Sequence, residues 1–272
     1  MRRKWTELVK KCVFVTTVLC GLRAEAGIVG LWEFNDSANI GRATIGNNLA
    51  IAGTAPVFSA TQTYAGRTLT GVIDTVVGVG NHLIATPGIA PNNGGTKVNQ
   101  YSMLFDFRSP NNAVWRTLFQ TDPTNTNDGD YFIRNTDNKL GVGLLNYTDY
   151  VVVNDTWTRL VLTANIGAGA STYLAYIDGA LVFTHGTTPL DGRHAFDPTV
   201  LLFGDEDGEN GSLSIGAVAI WDSAINTNEV AALGVAGAAI AVPEPGSLLL
   251  AGTIGLGVVT MRLLNRKHRK HR

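Results

Sequence analysis

The chain has 272 residues, with 21 Lys and Arg against 22 Asp and Glu, a formal net charge of −1. The balance conceals an asymmetry: residues 1–26 and 242–272 each hold six basic side chains, whereas Gly27–Ala241 holds nine basic and nineteen acidic ones. An acidic middle of 215 residues is long enough for one sizeable core, and its charge excludes nucleic acid and anionic membrane surface as partners.

At the start, Arg2, Arg3, Lys4, Lys10 and Lys11 surround the entry to an apolar run, Cys12–Leu22, followed by Ala24-Glu25-Ala26. A basic region, an apolar stretch and an A-x-A site in that order predict an export signal over 1–26, cut by signal peptidase to leave Gly27 first. Eleven apolar residues are too few to span a bilayer, and the bulky Leu19 before Cys20 speaks against lipoprotein processing. Cys12 and Cys20 are the only cysteines, so the mature protein has no thiol or disulfide and relies on its core.

From Gly27 the chain alternates short apolar stretches with Gly, Asn, Asp and Pro clusters. Strands are expected at 30–34, 48–52, 83–86, 101–107, 117–120, 131–134, 141–145, 158–164, 172–177, 180–184, 200–203 and 213–221. In 101–107, Tyr101, Met103, Phe105 and Phe107 alternate with Ser102, Leu104 and Asp106, the pattern of a half-buried strand. Asp178-Gly179 between two apolar stretches reads as a type I′ hairpin turn. One short helix is expected where Asn226 caps, Glu229 reaches back and Gly234 terminates. Many short strands and almost no helix predict an all-β antiparallel sandwich or jelly roll.

Candidate chemistry is concentrated in two oxygen-rich loops. Asp205-Glu206-Asp207-Gly208-Glu209 puts four carboxylates in five residues, and Asp122–Asp130 adds Asp128 and Asp130. Calcium takes six to eight oxygens, so Asp205, Asp207, Glu209, Asp128 and Asp130 are the metal candidates if the loops converge; otherwise they are solvated acidic turns. The EF-hand spacing is absent. Glucanases of this fold class carry Glu-x-Asp-x-x-Glu along a strand, a pattern that Glu206-Asp207-Gly208 breaks, and no catalytic residue is assigned. His82, His185 and His194 are dispersed and show no zinc spacing, and no G-x-S-x-G elbow occurs. Trp32, Trp157 and Trp221 fall inside strand patterns and are assigned to packing, whereas Trp115 follows a Ser-Pro-Asn-Asn turn and is expected to be exposed.

The end of the chain reads Val242-Pro243-Glu244-Pro245, an apolar run from Leu248, and a basic terminus with Arg262, Arg266, Lys267, Arg269, Lys270 and Arg272. The two prolines keep their neighbours extended, the run reaches the short end of a bilayer span, and the positive-inside bias holds the terminus in the cytoplasm. These three blocks resemble the PEP-CTERM sorting signal of Gram-negative bacteria, which implies recognition by an exosortase-type transpeptidase. A plain C-terminal anchor is the alternative.

Gly30-Leu31-Trp32-Glu33-Phe34, Thr156-Trp157-Thr158-Arg159-Leu160, Ala175-Tyr176-Ile177-Asp178-Gly179 and Ile215–Asp222, in that order, resemble the laminin-G-like group of concanavalin A-type jelly rolls. The layout expected is a signal peptide over 1–26, a jelly-roll domain over 27–234, a linker over 235–247, and a transmembrane helix with basic cytoplasmic tail over 248–272. The resemblance implies a non-enzymatic, surface- or matrix-sorted protein binding carbohydrate or a surface partner, with calcium as its candidate ion. A polysaccharide-acting hydrolase of this fold class and a purely structural matrix component are the alternatives.

Overall fold

Period-two alternation over most of the domain produces two antiparallel sheets packed face to face. The computed structural model describes residues 26–241 apart from 60, 65, 111–112, 125–128 and 206. Residues 1–25 of the expected export signal and everything from Val242 onward, the Pro-Glu-Pro, apolar run and basic tail included, lie outside the described residues. Among those described, no helix is long and apolar enough to cross a membrane.

In chain order the strands are β1 (Ile28–Trp32), β2 (Ala50–Ala52), β3 (Val57–Ser59), β4 (Gln62–Tyr64), β5 (Arg67–Leu69), β6 (Val72–Asp74), β7 (His82–Ala85) and β8 (Gln100–Arg108). They continue as β9 (Arg116–Gln120), β10 (Asp130–Ile133), β11 (Lys139–Val142), β12 (Asn146–Val151), β13 (Trp157–Ile166), β14 (Ser171–Ile177), β15 (Ala180–Thr184), β16 (Val200–Leu202) and β17 (Ser214–Trp221), before one helix, α1 (Thr227–Leu233). One sheet runs β15-β14-β13-β8-β17-β6-β3, with β1 also paired to β17; the other runs β12-β11-β10-β9-β16-β7-β2; β4 and β5 form a separate hairpin. All the expected strands are present with ends moved by a few residues, and β3–β6 and β12 are additional. Asp178 (φ 49°) and Gly179 (φ 84°) make the expected turn between β14 and β15. Asn226 and Glu229 form the full capping box of α1, which ends at Gly234 (φ 68°).

The expectation of a half-buried β8 gives way to burial on both faces. Tyr101, Met103, Phe105 and Phe107 point between the sheets into the main core. Leu104, from the opposite face, joins Val161, Tyr176, Trp221, Ile225, Val230 and Leu233 in a second apolar cluster beneath α1. The helix and the strand of chain after it therefore form a third layer over the outer face of the eight-stranded sheet. Within the expected linker, Ala236 is buried and Ile240 packs on this second cluster.

That third layer is fastened by a buried ion pair. On adjacent β8 and β13, Arg159 Nε and Nη2 donate to the two oxygens of Asp106, both at 2.7 Å, and both side chains are shielded from solvent. The remaining guanidinium donors reach Leu233 O at 2.5 Å and Ala238 O at 2.8 Å, and Gly237 N–H donates to Asp106 Oδ2 at 3.0 Å. Burial pushes the Asp106 carboxyl up, and the arginine and the Gly237 amide pull it back. Such pairs add little over a hydrophobic replacement, yet removing one partner leaves a charge stranded in low dielectric.

At the far side of the main core lies a knot of phenols and imidazoles. Tyr131 Oη donates to His185 Nε2 at 3.0 Å and His185 Nδ1–H donates to Leu145 O at 3.1 Å, which assigns the tautomer. Tyr173 lies 5.3 Å from His185 and 5.5 Å from His194 between ring centres, and Tyr101 Oη donates to the His194 carbonyl at 2.7 Å. Burial, helped by Arg193 and His185, lowers His194 to about 4, and burial lowers His185 as well.

Two outcomes follow. Arg159→Met alone should cost about 3–5 kcal/mol in urea unfolding, whereas Arg159→Met combined with Asp106→Leu should recover most of the loss. An unfolded histidine takes a proton near pH 6.5 that folded His194 refuses until about 4. Stability should therefore fall with pH across that window, by about 3 kcal/mol at ~1.4 kcal/mol per unit, and His194→Leu should flatten the slope in urea titrations between pH 4 and 7.5.

Candidate functional site

The acidic loop is an excursion out of one continuous line of chain beside β9. Phe203 N–H still donates to Leu118 O at 3.1 Å; the chain then leaves and returns at Glu209, whose carbonyl accepts from Thr117 N and Oγ1 at 3.0 and 2.6 Å. Asp205 is buried, and its Oδ1 accepts the Glu209 amide at 2.8 Å, closing the base of the excursion. Asn210 ties the return to the neighbouring turn by donating to Gly78 O at 2.6 Å and Asn81 O at 3.0 Å. Asp130 sits on β10 opposite Gln120. Among the described residues no group of three or more His, Cys, Asp or Glu gathers where it could hold a metal ion. One Asp205 oxygen is engaged in folding the loop back on itself. Asp128 and Glu206 lie outside the described residues.

A different constellation occupies the outer face of the seven-stranded sheet. Thr117, Phe132, Gly141 and Tyr147 are directly opposite one another across β9, β10, β11 and β12. Tyr131 and Ile133 belong to the core, so alternation turns Phe132 outward. Trp115, from the turn before β9, packs edge-on against Phe132 with ring centres 5.2 Å apart and stands 6.3 Å from Tyr147. Gly141 lets the β12 backbone approach closely within this row. A Cβ there would come within 2.6 Å of Asn146 O and Tyr147 Cα, and its φ of 142° disfavours other residues. Trp115 and Tyr147 remain half-exposed, in line with the expectation for Trp115, while Trp32, Trp157 and Trp221 are buried.

Charged side chains frame the aromatic row. The Arg134 guanidinium sits 4.1 Å from the Tyr147 ring centre, a cation–π contact, and donates through Nε to Asp137 Oδ1 at 2.9 Å. Hydrogen bonding from Arg134 holds the Asp137 carboxyl below the usual range, and partial burial raises the Tyr147 phenol. Lys139 and Asp149 pair at 3.2 Å beside them. Beneath, Arg116 is buried and donates to Ser109 Oγ at 2.8 Å and Asn138 Oδ1 at 2.6 Å, pinning the turns on either side of Trp115 and Arg134; burial lowers it to about 10. Aromatic faces with polar groups at their rim suit ligands that are apolar on one face and hydroxylated at the edge.

No protein-family model and no curated protein sequence matches the chain. Among solved structures it is similar to domain 4 of AbnA, a GH43 extracellular arabinanase from Geobacillus stearothermophilus, in complex with arabinotriose. The two share 16% identity and a TM-score of 0.54 over 78% of this chain and 100% of that one. It is also similar to the receptor binding domain of a botulinum neurotoxin C/D mosaic serotype (17% identity, TM-score 0.52) and to that of type G (12%, 0.51). Each of these matches covers 76% of this chain and spans half the length of the toxin domain. At these identities the likeness is one of fold: an antiparallel, jelly-roll-like sandwich.

Proposed function

We propose that this chain is an exported, non-enzymatic surface protein whose laminin-G-like domain binds carbohydrate across the Trp115–Phe132–Gly141–Tyr147 row. The observation that carries the reading is the row itself. It has two half-exposed rings with a third beneath them, on the sheet face that α1 leaves uncovered. The arabinanase domain, solved with arabinotriose, is in keeping with a sugar ligand.

Export rests on the charged start, apolar run and A-x-A site; sorting rests on Val242-Pro243-Glu244-Pro245, the apolar run and the basic terminus. In this reading an exosortase-type enzyme acts at the Pro-Glu-Pro, and the domain works at the cell surface or in the exopolysaccharide matrix. Strand geometry favours an outward-facing site. Trp221, close to Ala26 and Ala241, pairs with Ser102, whereas Arg116 below the row holds Ser109. Seven residues of extended chain separate those levels by roughly 23 Å.

The test is affinity electrophoresis of the exported protein through gels containing polysaccharide from the producing cells. The native protein should be retarded, and Trp115→Ala or Tyr147→Ala should weaken binding about 30-fold with melting temperature nearly unchanged. Equal retardation of native and variant proteins would refute the site. Release of new reducing ends would favour a hydrolase instead.

A further inference from the structure

Ala26 and Ala241, the two ends of the described chain, line one groove of about 190 Å³ together with Trp221, Ile225, Glu229 and Leu233. Here Gly27 and Asp222 hold each other reciprocally. Gly27 N–H donates to Asp222 Oδ1 at 3.0 Å, and Asp222 N–H donates to Gly27 O at 3.1 Å. Ser223 Oγ steadies the same carboxylate oxygen at 3.2 Å. A side chain on Gly27 would crowd this contact, since its Cβ would stand 3.3 Å from Asp222 Oδ2. Within the sheets β1 pairs only with β17, so its first residues depend on what fastens them.

We propose that Asp222 is the docking site for the N-terminal ammonium that export creates. The inference rests on cleavage after Ala26. In that step water adds across the Ala26–Gly27 amide; the acyl carbon leaves as the Ala26 carboxylate, and the Gly27 nitrogen takes up protons to become an α-ammonium. The atom that donated as a neutral amide then donates as a cation to an oxygen already 3.0 Å away. An ordinary hydrogen bond becomes an ion pair at the tip of β1 without any rearrangement. The charged residues at this place are Asp222 and Glu229, the latter with its carboxylate on the Asn226 amide at 2.5 Å; both are acidic, and none of the residues lining the groove is a competing cation. Removal of the leader thus locks the first strand of the domain it exported.

The sign follows from the charge. An α-amine titrates near ~7.7–8 in unfolded chains, and a neighbouring carboxylate raises it in the fold. The stabilisation is complete below that pH and is lost as pH rises through the raised value. The test uses the full exported chain. Intact mass establishes the first residue, and reductive methylation with ¹³C-formaldehyde then gives an NMR signal for the terminal amine that can be titrated. For a chain starting at Gly27, the amine should titrate about half a unit or more above the ordinary range. The shift should shrink in ~1 M salt, where screening reaches within a few ångströms, and vanish in Asp222→Asn. An unshifted amine on a Gly27 start, or a shift that survives Asp222→Asn, overturns the ion pair. A chain beginning at another residue overturns the cleavage reading, and the docking proposal falls with it.

Discussion

The Asp106–Arg159 pair decides which surfaces of this protein are available. Both residues point away from the main core, on the outer face of the eight-stranded sheet, where a jelly-roll-like sandwich would ordinarily meet water. The guanidinium pairs with both carboxylate oxygens and then reaches Leu233 and Ala238, which draws the chain after α1 across the sheet. Apolar residues complete what the charges begin, with Leu104, Val161 and Tyr176 roofed by Val230 and Leu233. Without this roof a sheet face rich in apolar side chains would be exposed, and two buried charges would lack partners.

Closure of one face has a consequence for the other. Among the described residues no third layer lies over the seven-stranded sheet at Trp115 and Tyr147, and these rings stand half in solvent. The glycine at 141 does two things at once: it takes a backbone geometry that disfavours other residues, and its missing side chain lets the β12 backbone at Asn146 and Tyr147 come close. Beneath the row, Arg116 spends its Nη donors on neutral oxygens, which fixes the turns that present Trp115 and Arg134. The row is therefore held from behind by a buried polar anchor.

Much of the fold was legible in the sequence, for identifiable reasons. Alternation in β8, the Asp178-Gly179 turn and the Asn226/Glu229 cap are local signals, and each produced the element it announced. β12 was missed because Asn146–Val151 lies at a sheet edge and carries polar residues on its solvent side, which hides the period. β3–β6 were missed because three-residue strands leave too little pattern to read. Burial of both faces of β8 was not readable, since it depends on a helix more than a hundred residues away. The site follows the same division. Trp115 was singled out from its turn, but Phe132, Gly141 and Tyr147 share a row only through cross-strand register, which no spacing along the chain encodes. The acidic cluster shows the same limit from the other side: adjacent carboxylates look like a ligand set along the chain, and only the fold shows that Asp205 also serves the loop's own backbone.

The central claim is that the uncovered face of the seven-stranded sheet receives the ligand. Hydrogen exchange, measured on the protein with and without polysaccharide from the producing cells, tests it without altering a residue. The account predicts slowed exchange confined to residues 130–151 and the turn around Trp115, with the strands beneath α1 unchanged. Protection centred on the eight-stranded sheet or on the α1 groove, with none over β10–β12, would contradict it.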